Sequence, residues 1–326
     1  MTRDGRRGEA ADDPVDDATL ALLLEVAGTP KPGNVDRRRD LDDLRFEAFL
    51  GGAVGARPGL ERAARAADPG APSVGDAFVR AVEGMAARAG TNTQFGCLLL
   101  LVPLVRAAAD PDRELSPDAL DAVCRATSVD DAVAFYRAFE AVDVAVDDPP
   151  PGADDLDVRR GSDAEAALRE RGATLRDVLA LSVDPTDPDR VADRNAAEWT
   201  EGFPRTFRAA EWILTDEGPL ADRAARAFLG LLAAEPDTLV ASTLGAEAAR
   251  EASERAAALL GVDSEGPGGV GDVDAVPTDA VHGADLDAAE SLAERFISEG
   301  INPGTTADLT CAALFVALRR GAEVAP

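Results

Sequence analysis

The chain has 326 residues, of which 61 are acidic and 33 basic, so its formal net charge is −28. So large a negative charge repels nucleic acid and anionic membranes, which excludes both as partners. The same acidity, with arginine in place of almost every lysine, is typical of halophilic proteins that work in molar salt, where the Debye length falls to about 3 Å.

Nothing in the sequence predicts a signal peptide or a membrane span. The longest apolar run, Phe95 to Val105, contains Pro103 and is shorter than the roughly 20 residues that a membrane helix needs. Residues 1–17 are polar and acidic, so we expect a disordered leader there. The three cysteines are far apart in the sequence and each lies in an apolar stretch, which favours buried thiols and a cytoplasmic location.

Hydrophobic periodicity and capping signals predict helices along the whole chain and no series of strands. In chain order, the predicted helices cover Ala18–Ala27, Leu41–Val54, Gly59–Ala67, Val74–Ala89, Phe95–Ala109, Ser116–Thr127, Val129–Val142, Asp163–Arg171, Leu175–Val183, Asp187–Thr215 with a break near Pro204, Ala221–Ala234, Glu247–Leu260, Asp287–Glu299 and a last helix from within 301–308 to Leu318. The helix from Phe95 is apolar all round and is expected at the centre of the core. We therefore predict an all-α fold with one multi-helix catalytic domain over 18–326 and flexible loops near 147–157 and 262–285.

Lys31 is the only lysine among the 33 basic residues. An ammonium is a compact point charge that approaches a single oxygen, whereas guanidinium is a planar fork. In a chain that has otherwise replaced lysine with arginine, the exception indicates a site that needs an ammonium. The alternative is one residual surface lysine beside a proline turn.

Three segments share one pattern, in which small, hydroxyl and turn-forming residues lead directly into an apolar helix: 29–37, 90–96 and 301–308. Such segments place exposed helix N-termini, whose free N–H groups and dipole bind anions. If the three segments converge, they form a cradle for a polyphosphate such as that of ATP. For each segment taken alone, the alternative is ordinary helix capping.

The candidate binding residues follow from this pattern. Those predicted to bind the nucleotide are Lys31, Gly33, Asn34, Arg37, Arg38, Arg39, Asn92, Thr93, Gly304, Thr305 and Thr306. Carboxylates can hold Mg²⁺ against the phosphates. The candidate ligands are Asp36, Asp40, Asp237 and Asp308, with Asp237 and Asp308 as the preferred pair.

The sequence resembles the triphosphoribosyl-dephospho-coenzyme A synthase family, in the form of an archaeal, halophilic-type member. The matching motifs are TPKPGNVDR at 29–37 with RRD at 38–40, GTNTQFG at 90–96, EPDTLVA at 235–241 and NPGTTADL at 302–309. Each motif is weak alone, but their combination and order are specific. The resemblance implies an all-α transferase that joins the ribose 5′-triphosphate moiety of ATP to the 2′-hydroxyl of dephospho-CoA, or of a related acceptor, and releases adenine.

Two departures from the family pattern concern acid–base chemistry. Bacterial relatives carry Asn-Thr-His-Lys-Gly where this chain has Gln94 and Phe95, and His-Lys-Asp where it has Arg38 and Arg39. Because both motif histidines are missing, acid–base work falls to aspartates, and a changed acceptor stays open. The predicted catalytic residues are Asp36, Asp40 and Asp308.

Two other functions remain possible at this point. One is a phosphotransferase that uses the same ATP and Mg²⁺ and releases ADP rather than adenine. The other is a non-catalytic nucleotide-binding protein, which ATP would stabilise without turnover.

Overall fold

The structure is a computed structural model that describes residues 13–65, 70, 72–183, 190–262 and 272–324. Residues 1–12 of the leader expected at 1–17, and residues 263–271 of the loop expected near 262–285, lie outside the described residues, whereas 14–17 are helical rather than disordered. Within these ranges the chain forms sixteen α-helices and no strand. The all-α prediction is therefore confirmed.

The helices are joined by connections of differing length. Their bounds are α1 Pro14–Ala27, α2 Phe46–Ala63, α3 Val74–Ala89, α4 Phe95–Ala108, α5 Pro117–Arg125, α6 Val129–Ala138, α7 Glu165–Arg171, α8 Leu175–Ala180, α9 Arg194–Glu201, α10 Pro204–Thr215, α11 Leu220–Ala234, α12 Thr238–Leu244, α13 Ala246–Leu260, α14 Thr278–His282, α15 Leu286–Glu299 and α16 Gly304–Arg319. Single-turn 3₁₀ helices lie at Asp154–Leu156 and Val273–Ala275, and a longer 3₁₀ segment covers Val158–Ala164.

Two apolar helices, α4 and α16, form the centre of the core. Helix α4 buries every residue from Cys97 to Val105, which confirms the predicted central helix. Helix α16 buries nearly all of its residues from Thr305 to Ala317 and packs against α1, α4, α10 and α11. Because α16 touches so many helices, its first turns are placed where several segments can meet.

The two helices predicted between residues 41 and 67 are one helix, α2, and the predicted break is wrong. Pro58 lies inside this helix. A Cβ added to Gly55 would overlap the carbonyl of Gly84 in α3. The glycines that resemble helix breakers in the sequence are thus the points where the two backbones approach each other.

Helix starts follow the capping rules, with small differences from the prediction. Ser73, Ser128 and Thr174 each form a capping box with an aspartate three residues later. Helix α1 begins at Pro14, four residues before the predicted start, and α12 and α14 were not predicted.

None of the described helices alone is long and apolar enough to cross a membrane, although the bent pair α11 and α12 together meets the length and hydropathy criteria.

Candidate active site

Four motif segments meet around the first turns of α16. The loop after α1 reaches it through Asn34, whose Nδ2 donates to Oδ1 of Asn302 at 2.9 Å. The segment before α12 reaches it through Asp237, whose Oδ2 accepts two hydrogen bonds of 2.7 Å from one threonine of α16, one from its backbone N and one from its hydroxyl. The start of α4 reaches it where the thiol of Cys97 donates to Oδ1 of Asp308 at 3.2 Å. Segments far apart in the chain therefore form one site.

A cavity of ≈ 320 Å³ opens beside these turns. Its polar lining includes Glu25, Asn34, Asn92, Thr93, Asn195, Asn302, Thr305 and Asp308. Its apolar lining includes three aromatic rings in mutual contact, with Phe139 5.0 Å from Phe95 and 5.3 Å from Phe135 between ring centroids. A concave site that combines apolar walls with a few convergent polar groups is typical of small-molecule binding.

The lining is strongly acidic in the part of the chain that the structure describes. Its acidic members are Glu25, Asp147, Asp148, Asp157, Asp193 and Asp308, and its basic member is Arg190. A guanidinium nitrogen of Arg190 lies 3.1 Å from a carboxylate oxygen of Asp147, so part of its charge is already compensated. This cavity repels a bare polyphosphate, and an anionic substrate needs accompanying cations to enter it.

Asp308 combines a position in the cavity with an environment that changes its titration. Its Oδ2 accepts a bond of 2.9 Å from Nδ2 of Asn195, and its Oδ1 accepts from Cys97. A Cβ added to Gly96 would overlap the carboxylate, so the glycine of the second motif leaves room for it. Burial raises the pKa of Asp308 to about 7, the two hydrogen bonds oppose this rise, and the charge of Glu25 adds to it. Such a group exchanges protons near neutral pH.

Lys31 is a buried residue rather than a surface one. Its side chain is 1% exposed, and its Nζ bonds to Oε1 of Glu25 and, at 3.0 Å, to Oδ1 of Asn34. Glu25 lies in the last turn of α1, is also 1% exposed, and lines the cavity. Burial raises the pKa of Glu25, and the ammonium of Lys31 counteracts this. The observed partner of the lone ammonium is thus a carboxylate of the cavity, and its predicted contact with a triphosphate stays a prediction.

Asp36 and Asp40, two of the predicted catalytic residues, do not line the cavity. Asp36 is fully buried and accepts bonds of 2.9 Å from Oγ1 of Thr29 and from Nη1 of Arg39. Asp40 is exposed and accepts a bond of 2.8 Å from the backbone N of Phe46, the first residue of α2. Both carboxylates stabilise the loop that follows α1, and their catalytic roles remain predictions without a contact in the site.

The three arginines of the first motif also lie outside the lining. Arg38 and Arg39 both pair with Glu290 of α15. Arg37 is exposed. Their predicted contact with phosphate therefore requires a substrate that extends beyond the cavity.

Asp237 acts as a cap in this structure. Its Oδ1 accepts from the backbone N of Leu239 at 2.9 Å and of Val240 at 3.2 Å, and its Oδ2 accepts from Thr306. Both oxygens are therefore occupied by the first turns of α12 and α16. Across the described ranges no group of three or more His, Cys, Asp or Glu is placed to hold a metal ion. The structure thus gives Asp237 a capping role, and its predicted role with Asp308 as a ligand of Mg²⁺ stays a prediction.

The other predicted binding residues divide into two groups. Those in the cavity lining are Asn34, Asn92, Thr93, Gly304 and Thr305. Thr306 is fully buried, and its hydroxyl donates to Asp237. Gly33 has a φ of 73°, and an added Cβ would overlap the carbonyl of Ile301. Thr306 and Gly33 therefore hold the segments together.

The prediction missed several polar residues of the cavity, of which Asn195 and Glu25 matter most for its chemistry. Asn195 in α9 is 8% exposed, and its Oδ1 has no hydrogen-bond partner among the described residues. No motif marks it, since its role depends on contacts that form only in the fold. Glu25 does carry a signal, because an acidic residue in the last turn of an apolar helix is opposed by the helix dipole and needs a specific reason.

Fold and site together define an all-α protein with a polar cavity that contains a titratable carboxylate. Comparison with known families gives the particular identity. Residues 11–325 match the family model described as ATP:dephospho-CoA triphosphoribosyl transferase, so the chain belongs to this family. The match confirms the resemblance stated above. The chain is a transferase that uses ATP and dephospho-CoA.

A solved structure supports the fold. The chain is similar to a crystal structure provisionally described as a triphosphoribosyl-dephospho-CoA synthase from Archaeoglobus fulgidus, with 23% identity and a TM-score of 0.59. The similarity covers 86% of this chain and 100% of that chain. The search of curated proteins returned no significant match.

Proposed function

We propose that the chain transfers the triphosphoribosyl group of ATP to the 2′-hydroxyl of dephospho-CoA in the cavity beside α16, and that Asp308 is the residue that donates a proton to adenine. The observation that carries this assignment is the placement of Asp308, which lines the cavity between Asn195 and Cys97 with a pKa of about 7.

The chemistry requires such a group. The bond between C1′ and N9 of ATP breaks, a bond forms between C1′ and the acceptor oxygen, and positive charge develops on the ribose ring between these events. The departing adenine must gain a proton. A carboxyl group that is protonated near neutral pH supplies it, and Asn195, with its unpartnered Oδ1, accepts a hydrogen bond from an N–H or O–H of the nucleoside.

The triphosphate must be bound without being cleaved. We propose that Mg²⁺ enters with ATP and neutralises part of the phosphate charge, because the acidic lining repels the bare anion. The protein then contributes neutral hydrogen-bonding groups, namely the amides of Asn34 and Asn302 and the first turn of α16 at Gly304 and Thr305. None of these groups is an in-line nucleophile for the γ-phosphate.

The aromatic part of the lining suits the neutral arm of the acceptor. Dephospho-CoA carries an uncharged pantetheine arm beyond its diphosphate, and Phe95, Phe135 and Phe139 offer an apolar surface for it. We also place the protein in the cytoplasm, since the three cysteines are free and buried.

Product analysis tests the proposal. The purified chain, ATP, Mg²⁺ and dephospho-CoA are incubated in molar KCl, and nucleobases, nucleotides and the conjugate are separated by chromatography and weighed by mass spectrometry. We expect adenine and the triphosphoribosyl conjugate in equal amounts. Release of ADP instead identifies a phosphotransferase, and stabilisation by ATP without any product identifies a non-catalytic binding protein.

A further inference from the structure

Glu25 is a second carboxylate of the cavity, and the mechanism above leaves it unused. It reaches the lining from α1, whereas Asp308 reaches it from α16. The charge of Glu25 contributes to the raised pKa of Asp308, so the two carboxylates lie within electrostatic range of each other. Lys31 and Asp36 in the loop after α1 act on the pKa of Glu25, and its charge in turn raises the pKa values of Asp308 and Cys311 in α16 and of Cys97 in α4.

The transfer needs two proton movements at one carbon centre. Adenine gains a proton as the bond to C1′ breaks, and the acceptor hydroxyl loses one as the new bond forms. A carboxyl group that is protonated in order to serve the first movement is not a base for the second. Enzymes solve this by placing two carboxyl groups in environments that separate their protonation states.

Burial raises the pKa of Glu25 above its ordinary value, and its contact with Lys31 favours the complementary, ionised state. The ammonium of Lys31 bonds directly to its Oε1, and an adjacent cation favours the ionised carboxylate. Lys31 is fixed in turn by Oδ1 of Asn34 at 3.0 Å, and Asn34 is held by Asn302 at 2.9 Å. A chain of hydrogen bonds therefore leads from the segment just before α16 to this carboxylate and orients it.

We propose that Glu25 is the catalytic base and that Lys31 is its positioning residue, an assignment that rests on the proposed function. Glu25 takes the proton of the acceptor hydroxyl while the oxygen electron pair forms the bond to C1′. The electron pair of the C1′–N9 bond leaves with adenine, which takes the proton of Asp308. The cycle closes when Glu25 returns its proton to Asp308, so protons and charge balance without a co-reactant. Until the new bond forms, the negative charge of Glu25 also stabilises the positive ribose ring.

Glu25→Gln tests the base, since it keeps the size of the side chain and removes its charge. We expect kcat to fall by about 100-fold or more while the Kd for MgATP stays within about threefold. The matched control is Glu198→Gln, which changes another fully buried carboxylate that pairs with an arginine, Arg205, but does not line the cavity. The control should keep kcat within about threefold. If Glu25→Gln keeps wild-type kcat, or loses ATP binding as strongly as kcat, the assignment of the base is refuted.

Variants of Lys31 test the positioning role with readouts that simple structural damage does not move. Without the ammonium, Glu25 ionises less readily, so in Lys31→Met the acidic limb of the pH profile of kcat should move to higher pH by about one unit or more. Lys31→Arg keeps the charge and should restore that limb in part. An unshifted limb in Lys31→Met overturns the positioning role.

The double variant Glu25→Gln with Lys31→Met guards against misfolding, because it leaves no unpaired buried charge. If Lys31 acts only through Glu25, the double variant should have the kcat of Glu25→Gln within about threefold. A further loss of about tenfold would show that Lys31 acts independently, and wild-type turnover would overturn both roles. A wild-type chain that releases no adenine refutes the proposed function itself, whereas a wild type and a Glu25→Gln variant that both release it refute only this inference.

Discussion

Asp308→Asn should make the protein more stable at alkaline pH while it removes activity. The native pKa of this carboxyl is about 7, against an ordinary value of 3.8. Between these two pH values the native state binds more protons than the unfolded chain, so the free energy of unfolding decreases as the pH rises through this window. An amide keeps the shape and an oxygen that accepts from Asn195 but does not ionise, so the variant avoids the loss.

The size of the effect follows from the shift. A separation of about three pKa units corresponds to roughly 4 kcal/mol. Part of Asp308 faces the cavity, where solvent screens its charge, so we expect about 2 to 4 kcal/mol at pH 8. For a chain of this length that is an increase in Tm of about 3 to 6 °C. Near pH 4 the two proteins should melt together, since the wild-type carboxyl is then protonated in the native state.

Thermal unfolding in molar KCl from pH 4 to pH 8, followed by circular dichroism, measures this difference. Asp131→Asn is the control with the opposite sign. Burial acts to raise the pKa of Asp131, but hydrogen bonds from Gly75 and Ser128 leave it below its ordinary value. That variant should lose stability at pH 8 and approach the wild type as the pH falls. If Asp308→Asn melts below the wild type at pH 8, the raised pKa and the acid role derived from it are both wrong.

Three further predictions concern the surroundings of Asp308. Gly96→Ala places a methyl group against the carboxylate of Asp308, so kcat should fall by about 100-fold. The overpacking should also lower the free energy of unfolding in denaturant by about 1 to 3 kcal/mol. Near-normal turnover would mean that Asp308 has another position during catalysis. Asp237→Asn weakens the caps of two helices, so the free energy of unfolding should fall by about 1 to 2 kcal/mol. The Mg²⁺ dependence of ATP affinity, measured by calorimetry, should change little. Loss of that dependence would identify Asp237 as a metal ligand. EDTA should leave the Tm of the ATP-free protein unchanged, and a drop of several degrees would show a resident metal.

The sequence predicted the features that depend on local pattern. The all-round apolar sequence of α4 placed that helix in the core, and Ser/Asp starts marked the helices that begin after Ser116 and Ser128. The sequence identified the motifs but not the residues that each motif contacts in the folded protein. The glycines of α2 resemble a break because they allow a close approach to α3, which only the fold reveals.

The same limit applied to the site. Asp308 was predicted as a catalytic residue from a motif, but its pKa depends on burial between helices and on Asn195, more than a hundred positions earlier in the chain. Asp237 has the residue type of a Mg²⁺ ligand, and the structure shows both its oxygens engaged by helix N-termini. A residue type restricts the possible chemistry, while the lone pairs left free after folding decide which chemistry is available.

The lone lysine shows how the same principle selects one cation over another. Between Glu25 and Asn34 there are two acceptor groups for Nζ, which matches an ammonium with three donors far better than a guanidinium with five. Each buried donor left without a partner costs about 1 to 3 kcal/mol. Arginine at position 31 would bury several such donors next to a cavity that is only ≈ 320 Å³ in volume. A surface position imposes no such penalty, so a composition that favours arginine can replace lysine everywhere except in this buried pair.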